Sequence, residues 1–304
     1  MSSPRRRAVL VGVGAVALGG AGALALDEPL RSSLESSRPV SSARRRLGIG
    51  QVDATVPSAG GTGPVYATFA SAARRRDVTW GWAGPPGRPA RGLPVLLVLH
   101  GRAVDAHAAF TQLGMHEYLA AHLAAGGPPL AVVSVDGGST YWHPRADGDD
   151  PLAMLTGELW PRLAGAGFDL TRWAVAGWSM GGFGALLLAR EAAAGRFTPG
   201  GTLVAAAAGS PALFASAGAT SAGSFDDPDD WHRYGDLVRE PGTGGVALSV
   251  SCGRDDPFRE QTERYRDACR PTPAGGIGDG AHTTGYWRSL VPDWLRLAGA
   301  ALTA

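Results

Sequence analysis

Residues 176–183 read AGWSMGGF, which sets Ser179 between Gly177 and the pair Gly181 and Gly182 in a G-x-S-x-G pattern. A serine hydroxyl attacks a carbonyl carbon only when a base takes its proton and an acid orients that base. The pattern therefore asks where a histidine and a carboxylate stand. In a chain with 45 glycines among 304 residues the pattern carries little weight alone. Its surroundings carry more. Ser179 follows the apolar run RWAVAGW and precedes MGGFGALLLAREAAAG, a strand-to-helix junction whose tight turn demands small neighbours.

Of the seven histidines only His232 and His282 come after Ser179, and only His282 also follows the acidic pair Asp255 and Asp256. It stands in the glycine-rich GDGAHTTGYW, just before the final helical segment. The acids close the apolar run SVSCG, so they project from the sheet edge at which the serine stands. The spacing Gly253-x-x-Asp256-Pro257 selects Asp256 as the acid. Asp255 is then a solvated neighbour, or the acid itself if the turn is one residue tighter. Negative charge on the reacting oxygen needs two backbone N–H donors. One is expected from Met180, next to the serine, and the other from Arg102 in LHGRAVDAHAAF. The Arg102 side chain is left to shape the pocket or meet an anionic substrate, and His100 to brace the loop.

Loop aromatics at this edge, above all Trp142 and Trp231, with Trp178 beside the serine, are the candidate pocket lining. Trp160, Trp173 and Trp294 are expected in the core. Cys252 and Cys269, the two cysteines of the chain, either form a disulfide closing a short loop or remain buried free thiols. Neither has metal-ligand spacing, and the acidic stretch PRADGDDP (144–151) departs from calcium-loop spacing and is expected as a solvated turn. No metal or cofactor is called for.

These residues require a scaffold that gathers strand ends at one edge. GPVYATFASAARRRDVTWGWAGP alternates apolar and polar positions as two antiparallel strands would, whereas LPVLLVLHG (93–101) is apolar throughout, as in a strand covered on both faces. Further strands are expected at 129–138, 172–179, 201–211 and 244–253. Helices are expected at 153–166 (interrupted by Pro161), 180–195, 257–269 and 285–302. This alternation predicts an α/β fold with a doubly wound, mostly parallel sheet. Residues 210–239 break the rhythm and read as an insertion over the sheet edge, the position of a lid or pocket wall.

A hydrophobic content of 44% supports one large domain, and a formal net charge of +1 offers no basic face for nucleic acid. Arg5 to Arg7, the uncharged run from Ala8 to Leu26, and Asp27 with Glu28 have the layout of a twin-arginine-like export signal. The alternative is an uncleaved anchor tethering the chain to a membrane through residues 8–26. Both place the rest of the protein outside the membrane. Residues 27–62, rich in Ser, Arg, Pro and Gly, read as a linker, and 63–304 as the catalytic domain.

The ordered motifs LVLHGR, SVDGG, STYW, GELWP, GWSMGGFGAL, CGRDDPF and GAH before YW resemble the putative-esterase family of α/β hydrolases. That group includes esterase D, feruloyl esterases and the mycobacterial mycolyltransferase antigens. The resemblance spans about residues 63 to 300. It implies the α/β-hydrolase fold, a Ser179–Asp256–His282 triad with Arg102 and Met180 as oxyanion donors, and action on a small-molecule or lipid ester without a cofactor. His-Gly-Arg stands where the mycolyltransferases carry Asp-Gly-Leu. The expected activity is a serine esterase; the alternatives are an acyltransferase to a sugar or lipid alcohol, and an inactive binding protein of the cell envelope.

Overall fold

The computed structural model describes residues 50–304. The expected export or anchor segment, 1–26, and residues 27–49 of the expected linker lie outside the described residues. No helix among the described residues is long and apolar enough to cross a membrane. Residues 50–61 lack regular structure, as a linker would, yet they lie fastened on the domain.

The strands are β1 (Val65–Ser71), β2 (Arg76–Ala83), β3 (Pro94–Leu99), β4 (Ala131–Val135), β5 (Asp169–Trp178), β6 (Thr202–Gly209), β7 (Ala247–Gly253) and β8 (Ile277–Gly278). They join in the order β1-β2-β4-β3-β5-β6-β7-β8. β1, β2 and β4 pair antiparallel, and every later pairing is parallel, as the sequence predicts. The unbroken apolar run of β3 follows from its two buried faces. Val95, Leu97 and Leu99 enter one core cluster, while Leu96 and Val98 enter the other.

The principal helices are α1 (Met115–Ala124), α2 (Trp160–Ala166), α3 (Met180–Ala193), α4 (Arg259–Ala268) and α5 (Thr284–Thr303). α2 and α3 fill the first cluster with Trp160, Phe183 and Leu186; α1 and α5 fill the second with Met115, Trp294 and Leu295. Trp173 is also buried, so the three tryptophans expected in the core are there. Pro161 does not interrupt its helix. A π-helical turn, Met154–Leu159, runs straight into α2 just ahead of the proline, so the change in hydrogen-bond pitch falls there and the helix continues through it.

The 144–151 loop is a junction and not a solvated turn. The carboxylate of Asp149 accepts from Nε and Nη2 of Arg74, whose side chain is fully buried. Arg145 pairs with Asp226 of the insertion at 2.7 Å. The insertion, residues 210–239, carries only short helical turns (Ala217–Ala219, Pro228–Asp230, Trp231–Gly235). It packs through Phe225, whose ring lies 5.7 Å from Tyr141 and 5.9 Å from Phe183.

Candidate active site

Ser179 sits between β5 and α3 with φ 56° and ψ −119°, a conformation costly for a residue with a side chain. Neighbouring backbone holds it there. Ser179 N–H donates to Gly209 O at 2.9 Å, and its carbonyl accepts from Phe183 and Ala212, both at 3.0 Å. The glycines are a steric requirement. A Cβ on Gly177 would lie 2.2 Å from Gly181 O, and one on Gly181 would lie 1.9 Å from Leu99 O.

The end of β7 draws the histidine loop to the serine. Arg254 N–H donates to Gly278 O at 2.7 Å and Asp255 N–H to Gly280 O at 2.9 Å, and a Cβ on Gly253 would strike Gly280 at 2.5 Å. His282 is thereby carried over the sheet edge. Its Nε2 lies 2.9 Å from Ser179 Oγ, and its Nδ1 lies 2.9 Å from Asp256 Oδ2. The second oxygen of Asp256 accepts from Phe258 N–H at 2.9 Å. The Asp256 side chain is fully buried and that of His282 is 25% exposed, so the relay opens to solvent at its serine end. Phe258 and Trp287 flank the imidazole, with ring centroids at 5.3 and 4.9 Å. Asp256 is the acid that meets His282, and Asp255 is buried, which corrects the expectation of a solvated neighbour.

Met180 opens α3, where a backbone N–H has no intrahelical acceptor. The Arg102 loop runs beside the serine: a Cβ on Gly101 would lie 3.6 Å from Ser179 Cβ. His100 holds that loop. Its Nε2 accepts from Gly137 N–H at 2.9 Å, which leaves the proton on Nδ1 to donate to Gly101 O at 2.7 Å. Both ring nitrogens are thus occupied, and His100 braces the loop. The Arg102 side chain reaches away to the insertion, donating from Nη2 to Ala222 O at 2.7 Å.

The tryptophans chosen as pocket lining are placed otherwise. Trp142 and Trp178 are buried at 0% and 1% exposure, and Trp231 at 6%. Trp142 packs edge-on to His100, its ring centroid 5.2 Å away, and fills space that Gly137 and Gly184 leave open. Trp178 lies under Gly101, and Trp231 against Gly235. Trp142 and Trp178 thus back the His100–Gly101 segment, while Trp231 packs within the insertion. Phe258 and Trp287, both half-buried, are the aromatics beside the histidine.

Cys252 and Cys269 are free and buried, the second of the two expected alternatives. Burial pushes both thiols up, and the Asp256 charge adds to this at Cys252, so neither is an activated nucleophile. Among the described residues no group of His, Cys, Asp or Glu could hold a metal ion. Two surface grooves lie away from the relay. One, of about 700 Å³, is lined by Trp160, Phe168, Leu170 and Pro199; the other, of about 690 Å³, lies between Arg196, Tyr234 and Arg239.

The family model described as Putative esterase matches residues 71–271. No curated protein matches the chain. Solved structures with the same architecture include an S-formylglutathione hydrolase from Agrobacterium tumefaciens, with TM-score 0.64, 17% identity, and coverage of 83% of this chain and 99% of that one. A ferulic acid esterase gives TM-score 0.61 and 18% identity over 78% of this chain and 98% of its own. The enterobactin esterase of Shigella flexneri gives 0.60 and 14% over 84% and 62%. At these identities the likeness is one of fold.

Proposed function

The chain belongs to the putative-esterase family and is a carboxylic ester hydrolase of the α/β-hydrolase fold; from that premise we propose that it acts through an acyl-enzyme on Ser179. The observation that carries this reading is the unbroken relay from Ser179 Oγ through His282 to Asp256, with 2.9 Å at both contacts. Ser179 Oγ attacks the ester carbonyl carbon while its proton passes to His282 Nε2. The carbonyl oxygen becomes an oxyanion between the N–H groups of Met180 and Arg102, each worth about 3 kcal/mol in such a role. Collapse breaks the bond to the alkoxy oxygen, which leaves as an alcohol with the proton from His282. Water, deprotonated by the same nitrogen, then attacks the acyl-serine and releases the acid. Asp256 fixes the ring tautomer and stabilises the imidazolium formed in each half-reaction.

Short-chain p-nitrophenyl esters and a fluorophosphonate probe test this on the full chain and on Ser179→Ala. The wild type should turn over and label, and Ser179→Ala should lose both, with a fall of about 10⁴-fold or more. Labelling that persists in Ser179→Ala would refute the nucleophile. An added sugar or lipid alcohol asks where the acyl group goes: ester product in preference to free acid would make the protein a transferase. The layout of residues 5–28 supports export, and recovery of the native protein wholly in the cytoplasm would count against it.

A further inference from the structure

Residues 51–61 form an irregular strap across α1 and the start of α5, and the strap touches the segment that bears His282. Ala54 N–H donates to Gly285 O at 3.2 Å, three residues beyond that histidine. Gly285 leaves no room for a side chain, since a Cβ there would lie 2.4 Å from Asp53 Oδ1 and 2.7 Å from Asp53 Cα. Further along, Tyr118 OH donates to Thr55 O at 3.0 Å, and Val56 occupies the space over Gly114, where a Cβ would lie 2.5 Å from Val56 Cγ1. The far end is pinned to α1. Ala59 and Gly61 N–H both donate to Glu117 Oε2, at 3.0 and 3.1 Å, and a Cβ on Gly61 would strike His116 O at 2.4 Å. Those backbone bonds, that from Gly61 foremost, hold the Glu117 carboxyl below its usual range.

Four hydrogen bonds and three close approaches at glycine are what a folded element makes; a tether would leave its backbone to water. The contact with α5 falls where position matters most. Thr283 caps the helix, its Oγ1 accepting from Tyr286 N–H at 3.3 Å, so residues 283–286 form one rigid turn directly after His282. The imidazole must satisfy a 2.9 Å contact at each end, and a displaced turn would spoil both.

We propose that the strap is a positioning element for the general base: Asp53 and Ala54 clamp the first turn of α5 and thereby fix His282 between Ser179 and Asp256. The Asp53 carboxylate also places negative charge at the start of a 20-residue helix, where the helix dipole favours it. The proposal rests on the acyl-enzyme reading above.

The test uses the full chain with Ala54→Pro, which removes the N–H donated to Gly285, with Gly285→Ala, whose methyl displaces Asp53, and with both together. Alanine suits a helix better than glycine, so the harm of Gly285→Ala must come through the strap. Each single variant should lower kcat for p-nitrophenyl acetate about tenfold or more, leave KM within about twofold, and slow fluorophosphonate labelling of Ser179 in proportion. The double variant should lose no more than the worse single one, because both release one contact. A single variant that is folded by circular dichroism and turns over at the wild-type rate overturns the proposal, as do losses that multiply. If Gly285→Ala does not fold, Ala54→Pro and Glu117→Ala, which removes the acceptor of the Ala59 and Gly61 N–H groups, decide: both must lower kcat, and an unchanged rate in either refutes the clamp. Absence of labelling in the wild type would instead sink the acyl-enzyme reading, and this one with it.

Discussion

Asp256→Asn replaces one atom, and the hydrogen bonds around it say what the chain must then do. Asp256 Oδ1 accepts from Phe258 N–H at 2.9 Å, and Oδ2 faces His282 Nδ1 at 2.9 Å. Asparagine has a single acceptor oxygen. The Phe258 amide is backbone and cannot turn away, so the oxygen stays with it and the NH₂ group faces His282 Nδ1. A donor at that place requires a lone pair on Nδ1 and moves the ring proton to Nε2, the nitrogen 2.9 Å from Ser179 Oγ. A protonated Nε2 cannot take the serine proton. Locking the wrong tautomer costs about 10⁴-fold in kcat, or about 5 kcal/mol of barrier. Steady-state hydrolysis of p-nitrophenyl acetate by wild type, Asp256→Asn and Asp256→Ala, each checked by circular dichroism, measures the effect. Asp256→Ala leaves the tautomer free, so the near-isosteric asparagine should be at least as damaging. Turnover by Asp256→Asn within tenfold of wild type would refute the assignment of Asp256 as the orienting acid.

Gly181→Ala should destabilise by about 3 kcal/mol or more, because its Cβ would lie 1.9 Å from Leu99 O and 2.5 Å from Leu99 C, backbone atoms that cannot swing aside. A urea midpoint equal to that of the wild type would contradict this. Glu191 accepts from Arg190 at 2.9 Å and from Arg196 at 2.6 and 2.9 Å. Burial alone would raise the Glu191 carboxyl, but the Arg196 and Arg190 guanidiniums outweigh it and hold the group below its usual range. Glu191→Gln leaves the buried Arg190 without its acid and should cost about 3 kcal/mol at neutral pH. A depressed carboxyl contributes fully above its unfolded value of about 4.5 and less as pH falls through its folded value. Thermal melts between pH 6 and 3 should therefore fall more steeply for the wild type than for Glu191→Gln, and parallel curves would exclude the linkage.

The relay was legible because chain order and strand ends constrain it. A serine after one apolar strand, a carboxylate after another and one histidine beyond both must meet if the sheet is parallel, and they do. β3 was legible for the same reason, since a strand buried on two faces has no polar alternation to disguise it. What misled were features fixed by partners far along the chain. Trp142 lies in a loop, and among the partners that make it core are Gly184 and His100, 42 residues away in either direction. PRADGDDP looks solvated until Arg74 arrives from the hairpin between β1 and β2. The strap has the composition of a linker, and the sign that it is folded lies in the glycines it rests against, among them Gly114 and Gly285.

Residues 222–224 of the insertion are gripped by their main chain. Arg102 binds Ala222 O, Arg145 binds Gly223 O and Ser224 O at 3.2 and 2.8 Å, and His143 Nε2 faces Ser224 O at 3.1 Å. Carbonyl oxygens are the same whatever side chain follows them, so these bonds do not use the side chains of 222–224; Gly223, at φ 76°, and the fully buried Ser224 are constrained by backbone conformation and space instead. This turn hangs from the loop that carries the Arg102 N–H, and Ala222 is the position of the three where a new side chain can be introduced without touching that attachment.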